Sequence, residues 1–389
     1  MVVDGSKREF EIISEEGKGR LFETAGFLIP VLSGSNWEMG YQYGSIMEES
    51  MQKAYDVLVE YAYKSGYLSD EDAKLWAERA FSTFSNRNRK FYEGLMESTG
   101  WSLVKIGILD QVIEYGLYTK GLHASIGCTS IFSWETSSND DNMYIGRNMD
   151  WVSSFNKFPQ VLMVTNPDDG SYRSASVTWP GMFAPYTILN EHGLYLDVHD
   201  GASMGGSVVI KDRPPIAGGL FDIMSETSTL KALIQRIQGV NTSTSIILNL
   251  ADKSNAVSME CSSLAGNRIR YPEGDSLVSV NTFLNPDWGI HIRNTVSHSL
   301  ERLSNMNDRL AENRGKIDAE KTRELMDIPL FEEDGTIGRG CTKPTKVDVD
   351  QTTHQIVTDI TRREFWLKIP NPDSFADWTH INLKELWEK

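Results

Sequence analysis

Gly127-Cys128-Thr129-Ser130, Ser137-Ser138-Asn139-Asp140-Asp141 and Gly146-Arg147-Asn148-Met149-Asp150-Trp151 follow one another in a short stretch of the chain. Strand-forming residues on either side of a polar cluster read as a β-hairpin. A turn centred on Asn139 puts Cys128 opposite Asp150, which makes a thiol and a carboxylate cross-strand neighbours. Side chains alternate faces along a strand, so Arg147 and Asp150 can both face Cys128 only at a bulge or a strand end.

An arginine beside a cysteine favours the thiolate, whereas a carboxylate raises the thiol pKa or holds a cation. The pair makes chemical sense with an amine between them. A cut between Gly127 and Cys128 creates one, an α-amine of ordinary pKa roughly 7.7–8.0 that can serve as base for its own thiol. Asp150 then orients the amine, and no catalytic histidine is needed. The same residues also have a plain structural reading: Cys128 as a buried strand thiol, Arg147 and Asp150 as an ion pair, Asn139-Asp140 as an ordinary turn. Spacing alone leaves both open.

Upstream of this hairpin the first third of the chain reads as helices. Met47, Met51, Tyr55, Leu58 and Ala62 form a helical stripe within Asn36 to Ser65. Ser69 is an N-cap before the acidic Asp70, Glu71 and Asp72. Ser102 to Tyr118 is apolar over a broad face and therefore buried. Downstream, alternating runs at Ile131 to Trp134, Met143 to Arg147, Gln160 to Thr165, Tyr172 to Val177 and Leu194 to Val198 predict strands, with antiparallel pairing the simplest arrangement. Helices return at Gly219 to Gln238 and Ser297 to Glu312, and Ile356 to Ile369 alternates like one long late strand. The sum is a layered α+β protein without internal repeats or a linker that separates independent domains.

The 38 Lys+Arg against 54 Asp+Glu leave a net charge of −16, which repels phosphate backbones and anionic headgroups. No nucleic-acid or membrane partner is expected. Apolar runs such as Val161 to Val164 fall far short of the roughly 20 residues of a bilayer span. Met1 to Arg20 is densely charged and lacks the apolar core of a secretory signal, so a cytoplasmic location is expected. The three cysteines, Cys128, Cys261 and Cys341, provide no disulfide framework. The seven histidines, His291 among them, lack the spacing of common zinc sites, and neither metal nor cofactor is implied. Gly340-Cys341-Thr342 repeats the tripeptide at 127–129 without its downstream partner motif and reads as coincidence. Gly201 to Gly206 reads as a flexible loop at the rim of a site.

Gly-Cys-Thr-Ser followed by Gly-Arg-Asn-Met-Asp-Trp resembles the nucleophile region of the choloylglycine hydrolase and penicillin acyltransferase group of N-terminal-nucleophile (Ntn) hydrolases. Gly34-Ser35-Asn36-Trp37-Glu38-Met39-Gly40-Tyr41-Gln42-Tyr43-Gly44 resembles the opening of the acyl-CoA:6-aminopenicillanic acid acyltransferase branch. Asn190-Glu191-His192-Gly193-Leu194, Ser279-Val280-Asn281-Thr282 and Ser299-Leu300-Glu301-Arg302 extend the resemblance from about residue 34 to the late strands.

The resemblance implies a four-layer αββα sandwich of two antiparallel sheets. Residues 1–127 would be a helical pro-segment, or α-subunit, docked on a core of residues 128–389. It implies a zymogen that cuts itself before Cys128, the nucleophile, with Arg147 and Asp150 positioning its amine and the substrate. Asn281 matches the oxyanion-stabilising amide and Arg302 the arginine that supports the site from a helix. Taken singly, Asn281 could cap a strand before Asn285-Pro286-Asp287, and Arg302 could be a solvated helix residue. The chain departs from the family where His199-Asp200 stands in place of an asparagine. A backbone N–H could supply that contribution, or Asp200 could mark a substrate with a basic or hydroxyl group, so both residues are expected at the substrate. The implied partner is a small-molecule N-acyl amide or acyl thioester, and self-association into a homo-oligomer is open. Three functions remain: hydrolysis of a linear amide, transfer of the acyl group to an amine, and an uncleaved binding protein that keeps only the fold.

Overall fold

The computed structural model describes residues 10–120, 127–201, 209–289, 298–344, 350–370 and 378–388. Positions 202–206 of the glycine-bearing loop, and His291, lie outside them. The chain opens with three strands, β1 (Glu11–Glu16), β2 (Gly19–Thr24) and β3 (Phe27–Gly34). The expectation of a helical first third is corrected there. In β3, Phe27, Ile29 and Val31 face one apolar cluster while Leu28 and Leu32 face another. A run buried on both faces carries no polar alternation to mark it as a strand.

The helices then follow the capping signals. Helix α1 (Asn36–Tyr55) starts at a capping box, with Glu38 N–H donating to Ser35 Oγ and Ser35 N–H to the Glu38 carboxylate. It continues through a π-turn at Asp56–Glu60 into α2 (Tyr61–Lys64). Ser69 caps α3 (Asp70–Thr83), α4 (Asn86–Thr99) follows, and Ser102 caps α5 (Leu103–Asp110), which breaks at Gln111 before α6 (Val112–Lys120).

The strands β4 (Gly127–Glu135), β5 (Asp141–Val152), β6 (Gln160–Pro167), β7 (Ser174–Thr178), β8 (Thr187–Asn190) and β9 (Tyr195–Asp200) come next. Helices α7 (Ile216–Glu226) and α8 (Leu230–Gln238) precede β10 (Ile246–Ala251), β11 (Ala256–Ser262), β12 (Gly266–Arg270) and β13 (Ser276–Ser279). The chain closes with α9 (Ser299–Glu312), α10 (Ala319–Asp327), β14 (Asp350–Asp359), β15 (Glu364–Lys368), β16 (Thr379–Asn382) and α11 (Leu383–Trp387). The single late strand expected over 356–369 is thus two strands, β14 and β15, reversed at a turn where Arg363 takes φ +64°.

Ten strands form one sheet in the order β1-β2-β3-β6-β7-β8-β9-β10-β11-β12, and six form a second in the order β13-β4-β5-β14-β15-β16. Neighbours are antiparallel except β3 and β6, which are parallel. The apolar clusters define the layering. Phe22, Phe27 and Val164 of the first sheet meet Phe132, Ile145 and Ile356 of the second between the sheets. Helices α1 and α3 to α6 cover part of the first sheet's outer face, and α7 and α8 another part. Met306 of α9 and Met326 of α10 pack on Ile131 and Val357 of the second sheet. Helix, sheet, sheet and helix therefore stack in the four-layer α+β order, with full burial of each large apolar side chain contributing roughly 1.5–3 kcal/mol.

The hairpin register differs from expectation. Strand pairing closes at Glu135 and Asp141, and an extra residue on β5, where Asn142 and Met143 stand against Trp134, shifts the ladder, so Cys128 faces Met149 and Gly127 faces Asp150. Trp134 instead donates its N–H to Asp275 O at 3.1 Å. Arg147, two residues from Met149, shares the face of Cys128. Asp150 lies on the opposite face, beside Gly127.

Candidate active site

Cys128 stands at the start of β4 with 1% of its surface exposed. Its Sγ lies 3.4 Å from Met149 Sδ and 3.9 Å from Arg147 Nη2. Burial pushes the thiol up to about 12, more than the Arg147 cation lowers it. This thiol is therefore protonated at neutral pH. Its own nitrogen is held in place: the Cys128 N–H donates to Asn281 Oδ1 at 2.7 Å. Asn281 follows β13, the edge strand paired with β4, and its Nδ2 donates to Asp200 O at 3.0 Å.

Arg302, buried on α9, ties these groups together. Its Nη1 donates to Cys128 O and, at 2.8 Å, to Thr129 Oγ1, and its Nη2 donates to Asn281 Oδ1 at 3.0 Å. The solvated-helix reading of Arg302 is thereby corrected, since none of its surface is exposed.

Beneath Gly127 a second group of charges gathers. Asp150 Oδ1 accepts from Thr352 Oγ1 at 2.7 Å, while its Oδ2 has no hydrogen-bond partner among the described residues. A Cβ added to Gly127 would meet Asp150 Oδ2 at 2.8 Å, Arg302 Nη2 at 3.1 Å and Lys343 Nζ at 3.2 Å. Lys343 pairs with Asp350 at 2.9 Å, both buried. Burial pushes the Asp150 carboxyl up, and the Lys343 and Arg302 cations pull it back.

On the Cys128 face, Asp197 is the counter-charge. Its Oδ1 lies 3.1 Å from Arg147 Nη1 and accepts from Asn249 Nδ2 at 2.6 Å. Its Oδ2 accepts from Ser130 Oγ at 2.7 Å and Tyr195 OH at 3.0 Å. Arg147 is further fixed by donating to Val198 O at 2.7 Å. His199 Nε2 lies 2.9 Å from Ser130 Oγ, and burial lowers its pKa to about 3, so the ring is neutral.

The structure thus brings Cys128, Arg147, Asn281 and Arg302 together, places Asp150 behind Gly127, and sets His199 and Asp200 in the wall of a cavity that Cys128 also lines. That cavity, about 80 Å³, is mostly apolar, with Ile113, Leu117, Trp151, Tyr186, Val198 and Leu220 in its wall. Sequence reading missed Asp197, Lys343 and Asp350. Asp197 shares an inward strand face with Tyr195 and His199, a period-two signal that was present. Lys343 directly follows Gly340-Cys341-Thr342, whose Cys341 and Thr342 both accept from Asn148 Nδ2, at 3.3 and 2.8 Å. The second Gly-Cys-Thr is packed against the strand that faces the first.

No protein-family model matches the chain, and no curated protein does. Solved structures give matches at low identity. The chain is similar to a Caenorhabditis elegans N-acylethanolamine-hydrolyzing acid amidase ortholog, at 15% identity and TM-score 0.43 over 60% of this chain and 93% of that one. It is similar to a mutant conjugated bile acid hydrolase from Clostridium perfringens, at 12% identity and TM-score 0.46 over 67% and 94%. It is also similar to penicillin V acylase from Agrobacterium tumefaciens, at 14% identity and TM-score 0.35 over 66% and 87%. Among the described residues, no helix is long and apolar enough to cross a membrane.

Proposed function

We propose that the chain is the precursor of a self-processing cysteine amidohydrolase that cleaves linear amides through an acyl-enzyme on Cys128. The observation that carries this reading is the Cys128 nitrogen, held by Asn281 Oδ1 at 2.7 Å beside a buried thiol that opens on an apolar cavity. A thiol with a pKa near 12 is a poor nucleophile at neutral pH, whereas an α-amine on the same residue is a base of matched strength.

In the first stage Cys128 Sγ attacks the Gly127 carbonyl carbon, the thiol proton passes to the Cys128 nitrogen as the C–N bond breaks, and a thioester and a free α-amine remain. Water hydrolyses the thioester, frees the thiol, and leaves residues 1–127 and 128–389 as separate chains. In the second stage the amine takes the Cys128 thiol proton as sulfur attacks the substrate carbonyl, and passes that proton to the departing amine nitrogen. Asn281 Nδ2 stabilises the oxyanion, and water then releases the acyl group as a carboxylate. Asn281 Oδ1 and Asp150 hold the amine, while Arg302 anchors Cys128 O and Asn281 Oδ1. His199 and Asp200 meet the substrate.

Intact-mass measurement and N-terminal sequencing of the purified protein test the first stage: a fragment beginning Cys128-Thr129-Ser130 is expected. Release of free amine from an N-octanoyl amide tests the second. A chain that stays whole and turns over no amide would sink the reading.

A further inference from the structure

Gln111 sits at the break between α5 and α6, 2% exposed, in the wall of the Cys128 cavity. Its Nε2 donates to Asp110 Oδ2 at 3.1 Å, which fixes the orientation of the amide. Its Oε1 is left with no hydrogen-bond partner among the described residues. A buried acceptor in that state is costly until a donor meets it.

The surroundings point the same way. Asp110, Glu114 and Asp200 line the same cavity, and among the described residues no Lys or Arg side chain does. Asp110 accepts from Phe183 N–H at 2.8 Å, from Tyr92 OH and from Gln111 Nε2, a set of donors suited to a carboxylate. Glu114 pairs with Arg79 at 2.9 Å. An anion brought to this wall would meet carboxylates and an acceptor oxygen, all in a buried setting that strengthens the repulsion.

We infer that this wall selects acyl amides whose polar part carries hydrogen-bond donors and no negative charge, such as amides of amino alcohols and diamines, over amides of amino acids or aminosulfonic acids. The inference rests on reading the Cys128 cavity as the substrate site, and it names the class of substrate that enters. The apolar walls take the acyl chain, and Gln111 Oε1 accepts from the N–H or O–H of the polar part.

Three probes test it: the N-octanoyl amides of 1,4-diaminobutane, 3-aminopropanol and β-alanine, which present a cation, a hydroxyl and an anion at similar length. The readout is protection of Cys128 from iodoacetamide in the purified protein, followed by mass spectrometry, which reports binding whether or not an amide is cleaved. The cationic and hydroxyl probes are expected to protect at concentrations about tenfold lower than the anionic one. Equal protection, tighter protection by the anion, or protection by none of the three overturns the inference. Gln111→Leu should erase most of the preference. Since that change also strips Asp110 of a donor, Gln111→Glu is the second variant, and it should weaken the anionic probe further while tightening the cationic one. Release of amine, measured in parallel, judges the amidohydrolase reading separately: binding with the expected preference and no release would leave this inference standing and defeat the other.

Discussion

Asp150 and Gly127 face each other across the β4–β5 ladder, with the carboxylate where a side chain at 127 would otherwise sit. An added Cβ would stand 2.8 Å from Asp150 Oδ2, closer than ordinary contact allows. Gly127→Val is therefore expected to abolish self-cleavage, leaving a single chain of about the parent mass, and to cost about 1–3 kcal/mol through overpacking. Intact mass and urea unfolding check the two parts. Normal processing would show that the cluster beneath Gly127 has no part in cleavage.

The Cys128 thiol should betray its state through pH. In the uncut Gly127→Val chain, a pKa near 12 predicts that alkylation rises about tenfold per pH unit from neutrality up to pH 11. The cut protein should instead show a rate that levels off around pH 8, where its α-amine titrates. Identical profiles would remove the amine from the mechanism. Arg147→Met removes the largest charge that lowers the thiol pKa and should slow alkylation in both forms.

Lys343 and Asp350 are a buried pair whose members are worth testing together. Lys343→Met removes the cation 2.9 Å from the buried Asp350 carboxylate and is expected to destabilise the chain by about 3–5 kcal/mol. Lys343→Met with Asp350→Leu should recover much of that loss, while self-cleavage stays slow because Asp150 has lost a neighbouring cation. Chemical denaturation and a processing time course read the two effects separately. Rapid cleavage in the folded double variant would make the pair purely structural.

His354 offers a pH test away from the thiol. It is packed between the rings of Phe27 and Trp179, and burial lowers its pKa to about 3. A neutral histidine held this way contributes stability that is fully present above its unfolded value near 6.5 and is lost as pH falls toward 3. The stability gap between the parent and His354→Gln should therefore narrow from pH 7 to pH 5, by up to about 1.4 kcal/mol per unit below 6.5. A constant gap in urea unfolding would contradict a buried neutral ring.

Much of this was legible along the chain because it is local. The cap at Ser69 announced its helix through a side chain that bonds backbone within three residues, and those at Ser35 and Ser102 carried the same local signal unread. The hairpin was visible in its strands and turn, and its register was not. The register shift comes from an extra residue on β5 opposite Trp134, whose N–H bonds Asp275 O next to β13, and nothing in the local sequence marks it. Strand β3 escaped notice because it is buried on both faces, which leaves no polar alternation to read. Asp197, Lys343 and Asp350 belong to the site through partners distant in sequence, and an isolated acid or lysine has no local pattern to show it. Asn281 and Arg302 were found only because resemblance supplied what spacing could not.

The parallel pairing of β3 with β6 joins Val31 to Val164 from opposite sides of the Gly127–Cys128 bond. The uncut chain makes that pairing within one molecule, where the two strands are at high effective concentration. Were that bond cut as proposed, an unfolded molecule would become two diffusing pieces that must find each other before the ten-stranded sheet can re-form. Maturation would thus act as a ratchet, and the working life of the cut protein would be governed by how slowly it unfolds, with its folding equilibrium no longer the deciding quantity.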